Sequence, residues 1–105
     1  MWKKKYKALI CEDGFSVSIQ ASEGSYCSPR NDVGPYTAVE LGFPNEEDPL
    51  IIPWAEDRAN PKGTVYGYVP VDIVLEMITN HGGIKSGEVP PMHYASWDGE
   101  TCPGL

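Results

Sequence analysis

The clearest pattern of hydrophobic and polar positions lies in the second half of the chain, where it predicts a helix over residues 70–81. Pro70 suits the first helical position, and Asp72 lies in the first turn, where the helix dipole favours an anion. Gly82-Gly83 supplies a residue that can adopt the left-handed conformation that ends a helix. Four apolar residues recur at the i, i+3, i+4 and i+7 spacing of one helical face: Val71, Val74, Leu75 and Ile78.

Alternating patterns near the start of the chain predict a β-hairpin. Its strands are Lys5–Cys11 and Phe15–Ala21, and Asp13-Gly14 supplies the positive φ angles that a two-residue turn needs. This register places alternate residues on opposite faces of the sheet, so one face lies toward the core. It pairs Glu12 with Phe15, Ile10 with Val17, and Ala8 with Ile19 on one face, and Cys11 with Ser16 and Leu9 with Ser18 on the other.

Three further segments have the composition of strands. Tyr36–Phe43 alternates along its length, Thr64–Val69 leads directly into the predicted helix, and Ile84–Val89 supplies a short edge strand. Tyr66 and Tyr68 are two residues apart and are expected on one strand face. The predicted fold is α+β: a four- to five-stranded, mainly antiparallel sheet with the one helix packed on one face. The expected inner side of the third strand comprises Thr37, Val39, Leu41 and Phe43.

Two segments rich in Gly, Pro, Asn and Asp predict long loops. The first is Ser22–Pro35, and the second is Pro44–Gly63, in which the apolar stretch Leu50–Trp54 is expected to pack inward as an edge piece. No repeat or second domain is visible. We therefore predict a single α+β domain over residues 1–95 and a loosely ordered C-terminal tail over residues 96–105.

The charge of the chain is distributed unevenly. The 105 residues have a net charge of −7, and four of the eight basic residues are Lys3, Lys4, Lys5 and Lys7. The rest of the chain therefore holds four basic residues against fifteen acidic ones. This balance disfavours direct nucleic-acid binding and favours a partner with a basic surface. No apolar run approaches the ~20 residues of a membrane span, and no signal peptide is apparent, so we expect a cytoplasmic protein.

The residues capable of metal or thiol chemistry are few and widely spaced. They comprise Cys11, Cys27, Cys102, His81 and His93, and no two lie within the short intervals typical of zinc sites. The odd number of cysteines favours free thiols over a disulfide framework. We expect no metal, no cofactor and no catalytic residue.

One enzymatic alternative stays open. Cys27 lies in a predicted loop and could act as a nucleophile, with His81 or His93 as its base. Arg30 nearby could lower the pKa of the thiol. No family signature surrounds this cysteine.

A surface argument gives the preferred functional hypothesis. One helix covers only one face of a sheet, and Leu9, Tyr36, Ala38, Tyr66 and Tyr68 are expected to supply apolar area on the other. Such a patch is typical of an interface, either with a partner or in a homodimer. The acidic loops could steer a basic partner toward it. The predicted partner-binding residues are Glu46, Glu47, Asp48, Glu56, Asp57, Tyr66 and Tyr68.

Five segments of the chain carry a family resemblance: residues 6–21, 26–30, 36–44, 65–70 and 81–83. They resemble small proteins encoded by tailed bacteriophages and prophages. The resemblance carries no catalytic motif. The resemblance implies that the protein acts in the bacterial host cytoplasm and inhibits a host nucleic-acid enzyme or defence complex by binding to it. It would do so as a DNA mimic, in the manner of anti-CRISPR proteins. The runner-up is a phage structural or assembly protein that self-associates through the uncovered sheet face. A Cys27-dependent enzyme is third.

Overall fold

The structure is a computed structural model that describes residues 6–92. Its strands form one antiparallel sheet of five strands in the order β4-β3-β2-β1-β5, and one helix packs against this sheet. The predicted α+β class is confirmed, while the expected tail over 96–105 lies outside the described residues. The elements are β1 (Leu9–Cys11), β2 (Ser16–Gln20), β3 (Ala38–Gly42), a 3-10 turn (Ile52–Trp54), β4 (Val65–Pro70), α1 (Val71–Asn80) and β5 (Ile84–Ser86).

The hairpin between β1 and β2 turns over three residues, Glu12–Gly14, and not over the predicted two. Leu9 lies opposite Val17, and the backbone N–H of Cys11 donates to the carbonyl of Phe15 at 2.8 Å. The predicted register is therefore wrong by one residue. Because side chains alternate along a strand, this shift exchanges the two faces of β1.

Local chemistry explains the longer turn. Gly14 has φ +97°, and the Asp13 carboxylate accepts a hydrogen bond from the backbone N–H of Phe15 at 2.9 Å. A type of hairpin with three loop residues needs one residue in this left-handed region, and glycine provides it. As a result Leu9 is fully buried, while Ile10 is 39% exposed.

The core lies between the sheet and α1. Within α1 the buried stripe contains Met77, whereas the predicted Leu75 is only partly buried. Pro70 ends β4 and precedes the first turn of α1. Ile51 is fully buried, which confirms that the segment around it packs inward. Fully buried or nearly buried side chains of the core include Leu9, Cys11, Phe15, Val17, Ile19, Val39, Leu41, Tyr66, Val69, Val74 and Ile78.

A β-bulge in β4 separates the two tyrosines that the sequence places on one face. Glu40 of β3 lies opposite two residues of β4, Gly67 and Tyr68, between the register pairs. Tyr68 has φ 56° and points outward, whereas Tyr66 is fully buried. The flanking register pairs are Val39 with Val69 and Leu41 with Tyr66.

The expected apolar patch on the uncovered sheet face does not form. Leu9, Tyr36 and Tyr66 belong to the core instead. Phe43, expected on the inner side of β3, follows the end of that strand with φ 53° and is 60% exposed, and Thr37 is also exposed. The open face instead carries polar residues that alternate with the buried ones: Ser16, Ser18, Gln20 and Glu40.

Both outer strands of the sheet have limited free edges. Along β4, Tyr66 forms a bridge with Ala55, and the N–H of Tyr68 donates to the carbonyl of Tyr26 at 3.0 Å. At the other edge, β5 spans three residues, with Lys85 exposed at its centre.

No helix within residues 6–92 has the length and apolar character needed to cross a membrane.

Candidate functional site

His81 lies between two carboxylates at the end of α1. Its Nδ1 is 2.7 Å from Oδ2 of Asp13, and its Nε2 is 2.8 Å from Oδ2 of Asp48. The imidazole ring also stacks on Phe15, with ring centroids 4.0 Å apart and planes 7° apart. We call Asp13, His81 and Asp48 the histidine clamp. It joins the hairpin turn, the end of the helix and the loop after β3.

The chain positions each member of the clamp locally. Gly82 and Gly83 have φ +90° and +95°, and their N–H groups donate to carbonyls of the last turn, which ends α1 at His81. A cation at this end of a helix interacts favourably with the helix dipole. The hairpin turn is tied to the helix end, because Asp13 N–H donates to the carbonyl of His81 at 3.2 Å and Glu12 N–H to that of Gly83 at 3.0 Å.

The clamp shifts the titration of its members. Burial alone would lower the pKa of His81, but hydrogen bonds to Asp13 and Asp48 outweigh burial and raise this pKa above its ordinary value of 6.5. The pKa of Asp13 is lowered, first by the N–H of Phe15 and then by His81. Both ring nitrogens face carboxylate oxygens, so the imidazole cross-links the hairpin turn, the end of α1 and the loop after β3. It is not positioned as a general base.

The clamp and one asparagine anchor the loop that carries the first acidic cluster. The Asn45 side chain donates to the carbonyl of Gly14 and accepts from the N–H of Ser16, both at 2.9 Å. Between Asn45 and Asp48, the carboxylates of Glu46 and Glu47 are exposed. These two residues line an open hollow of about 490 Å³ together with Asn60, Pro61 and Lys62.

Four of the predicted binding residues are exposed, and we call them the acidic rim: Glu46, Glu47, Glu56 and Asp57. Glu56 N–H donates to the carbonyl of Val65 at 3.0 Å, and the Asp57 carboxylate accepts from Ala59 N–H at 3.1 Å. Backbone contacts therefore hold the second pair of acidic residues as well. Their role in binding stays a prediction.

The other three predicted binding residues differ in accessibility. Asp48 is buried, and its carboxylate accepts hydrogen bonds from His81 and from the N–H of Leu50. Tyr66 is also buried, and its hydroxyl donates to the carbonyl of Pro61. Neither residue lies on a contact surface. Tyr68 is 46% exposed and is the only one of the two tyrosines available to a partner.

The surroundings of Cys27 disfavour a reactive thiolate. The residue is fully buried, and its Sγ donates to the carbonyl of Ser22 at 3.2 Å. Burial raises the pKa of this thiol and outweighs the lowering effect of Arg30. His81 is engaged in the clamp, and His93 lies outside the described residues. Within residues 6–92, no group of three His, Cys, Asp or Glu side chains is arranged to hold a metal ion.

Sequence reasoning missed the clamp because its members are far apart in the chain. His81 is 68 residues from Asp13 and 33 from Asp48. The available signal was a histidine at a helix C-terminus followed by two glycines, a position that favours a cation with an anionic partner. Comparison of the chain with family models, curated proteins and solved structures finds no match, so the site is interpreted from its own geometry.

Proposed function

We propose that this chain binds a basic protein of a bacterial host and inhibits it, with a nucleic-acid enzyme or a defence complex as the target class. The acidic rim would occupy a groove that the target uses for phosphates. The observation that carries the proposal is the exposure of the four rim carboxylates. None of them forms an ion pair with a basic side chain of residues 6–92, although Lys62 lines the hollow beside Glu46 and Glu47. Carboxylates spread over a surface can replace phosphates in such a groove.

The charge of the described chain is poorly compensated. Residues 6–92 contain thirteen acidic and five basic side chains, and two of the carboxylates, those of Asp13 and Asp48, pair with His81. Arg30 and Arg58 donate to the backbone carbonyls of Glu23 and Pro53. Neither of these hydrogen bonds involves a carboxylate of the rim.

The anchoring of the rim supports recognition by a preformed surface. Asn45 and Asp48 fix the two ends of the segment that presents Glu46 and Glu47. A segment that is already ordered loses less conformational entropy when it binds. Complementary charge also accelerates association, and this effect weakens as salt increases. The assembly alternative loses three of the five apolar residues that it would use on the open sheet face, because Leu9, Tyr36 and Tyr66 lie in the core.

The test is capture from a nuclease-treated bacterial lysate on the immobilised protein, followed by elution with duplex DNA. A DNA mimic shares its site with DNA, so DNA should release the bound target. The rim variant is Glu46→Lys with Glu47→Lys. The matched control is Asp72→Lys with Glu76→Lys, which makes the same charge change on the exposed side of α1.

We expect DNA to elute a nucleic-acid enzyme or defence protein from the original chain and from the α1 control, but not from the rim variant. Retention should fall steeply between about 50 and 200 mM salt. Proteins that bind the rim variant equally well, or that DNA does not release, would contradict the proposal.

A further inference from the structure

A pair of exposed tyrosines provides a second candidate contact surface. Tyr26 and Tyr68 are 43% and 46% exposed, and their ring centroids are 6.0 Å apart with planes at 41°. Neither tyrosine hydroxyl forms a hydrogen bond with another group in residues 6–92. Two large aromatic side chains next to each other on a protein surface are typical of contact sites.

The backbone is arranged to present this pair. Tyr68 occupies the extra position of the β4 bulge with φ 56°, a region that a bulky residue adopts only under strain. Its N–H donates to the carbonyl of Tyr26 at 3.0 Å, which fixes the two residues side by side. Gly67 permits the close approach, since a Cβ there would lie 3.3 Å from Cβ of Tyr26. Strain retained at an exposed side chain indicates a role outside the core.

A carboxylate lies beside the tyrosine pair. Glu40 is opposite the bulge, and its Oε1 accepts a hydrogen bond from the N–H of Tyr26 at 2.9 Å. Its Oε2 accepts no hydrogen bond from the rest of the 6–92 segment. Arg30, four residues after Tyr26, donates to the carbonyl of Glu23. The backbone of Tyr26 therefore anchors a carboxylate next to the two tyrosines.

We propose that the Tyr26–Tyr68 pair, together with Glu40, binds an arginine side chain of a basic partner. The planar guanidinium would lie against a tyrosine ring and donate to Oε2 of Glu40. Arginine fits better than lysine because it stacks on aromatic rings and is more weakly hydrated. A nucleobase with its phosphates is disfavoured by the charge of Glu40 and of the chain. The inference rests on the proposed function only in that the partner is basic.

The test titrates the whole chain with a capped hexapeptide of alternating glycine and arginine, and follows the backbone amides by NMR at low salt. The same peptide with lysine, or with the neutral isostere citrulline, supplies the comparison. The variants are Tyr68→Gly, which suits the backbone at φ 56°, and Glu40→Gln, which keeps the acceptor for Tyr26 N–H. The matched control is Phe43→Gly, because Phe43 is also an exposed aromatic residue with positive φ.

We expect the arginine peptide to shift the amides of Tyr26, Gly67 and Tyr68. Its affinity should fall about fivefold in Tyr68→Gly and in Glu40→Gln, and similarly when citrulline or lysine replaces arginine. Phe43→Gly should bind as the original chain does. Shifts centred on the acidic rim, equal affinity for the lysine peptide, or an unchanged affinity in Tyr68→Gly would overturn the proposal.

The peptide assay needs no host partner, so the two proposals can fail separately. Arginine binding at the tyrosine pair without any DNA-eluted target would preserve this site and remove the inhibitor role. A DNA-eluted target that binds Tyr68→Gly as tightly as the original chain, with no peptide shifts at the pair, would do the reverse.

Discussion

Replacing Asp48 with asparagine tests whether the histidine clamp stabilises the fold. The substitution keeps an acceptor for the N–H of Leu50 and removes the negative charge that faces Nε2 of His81 at 2.8 Å. A hydrogen bond between charged groups contributes about 1.5–3 kcal/mol when it is buried. The side chains of His81 and Asp48 are 19% and 12% exposed, so solvent screens part of the interaction. We expect the free energy of unfolding to fall by about 1–2 kcal/mol.

The cost of Asp48→Asn should depend on pH in a defined direction. Because the pKa of His81 is raised above 6.5 in the folded chain, its contribution is complete below pH 6.5 and is lost as the pH rises through the raised value. The pKa of Asp13 is lowered from 3.8, so its contribution is present above pH 3.8 and is lost as the pH falls through the lowered value. The clamp is therefore strongest between these limits.

Urea denaturation followed by far-UV circular dichroism, at about pH 5.5 and about pH 9, measures this difference. Glu76→Gln is the control, because it also converts a carboxylate to an amide but on the exposed side of α1. The difference in unfolding free energy caused by Asp48→Asn should be larger at the lower pH. An equal difference at the two pH values, or one no larger than that of the control, would refute the argument.

Three other predictions concern strain and thiol access. Tyr68→Gly should raise the free energy of unfolding by about 1 kcal/mol in urea denaturation, because glycine adopts φ 56° without strain; a loss of stability would contradict this. Gly83→Ala should destabilise the fold by ~1 kcal/mol, because a Cβ at 83 meets nothing within 4 Å and only the backbone conformation is unfavourable. Gly87→Ala should destabilise it several times more, because a Cβ at 87 collides with the carbonyl oxygen of Ala8. Cys27 should react with iodoacetamide near neutral pH only after denaturation, as peptide mass mapping can show; rapid labelling of the folded chain would revive the thiol hypothesis.

The helix and the positions of the strands along the chain could be predicted because their signals are local. The spacing of apolar residues within 70–81 defines one face, and the structure forms α1 over Val71–Asn80. Within that face the buried position is Met77 and not Leu75, since both lie near the edge of the apolar stripe. Which of the two is buried depends on where the sheet contacts the helix. The helix sequence alone does not show that position.

The hairpin register required information from outside the turn. Asp13-Gly14 is compatible with turns of two or three residues. The longer turn places Leu9 and Cys11 in the core, and it lets Asp13 reach both the N–H of Phe15 and His81. Tertiary packing therefore selects the register.

The β4 bulge and the histidine clamp could not be predicted from the sequence, for a related reason. Strict alternation places Tyr66 and Tyr68 on one face, and a single extra residue against Glu40 separates them. The pairing of Asp48 with His81 depends on how the loop after β3 returns to the helix end. In a solvated acidic loop, the sequence does not mark which carboxylate turns inward.

The protected edges of the sheet have a consequence for behaviour at high concentration. Growth of a cross-β aggregate begins when one chain adds a strand to an exposed edge of another. Along β4, the bridge from Ala55 and the contact from Tyr26 already occupy positions where such a strand would attach. At β5, three residues with a central lysine offer a template that is short and charged. In a concentrated solution, the sheet formed by residues 6–92 therefore offers few positions at which a second copy could add a strand and start a fibril.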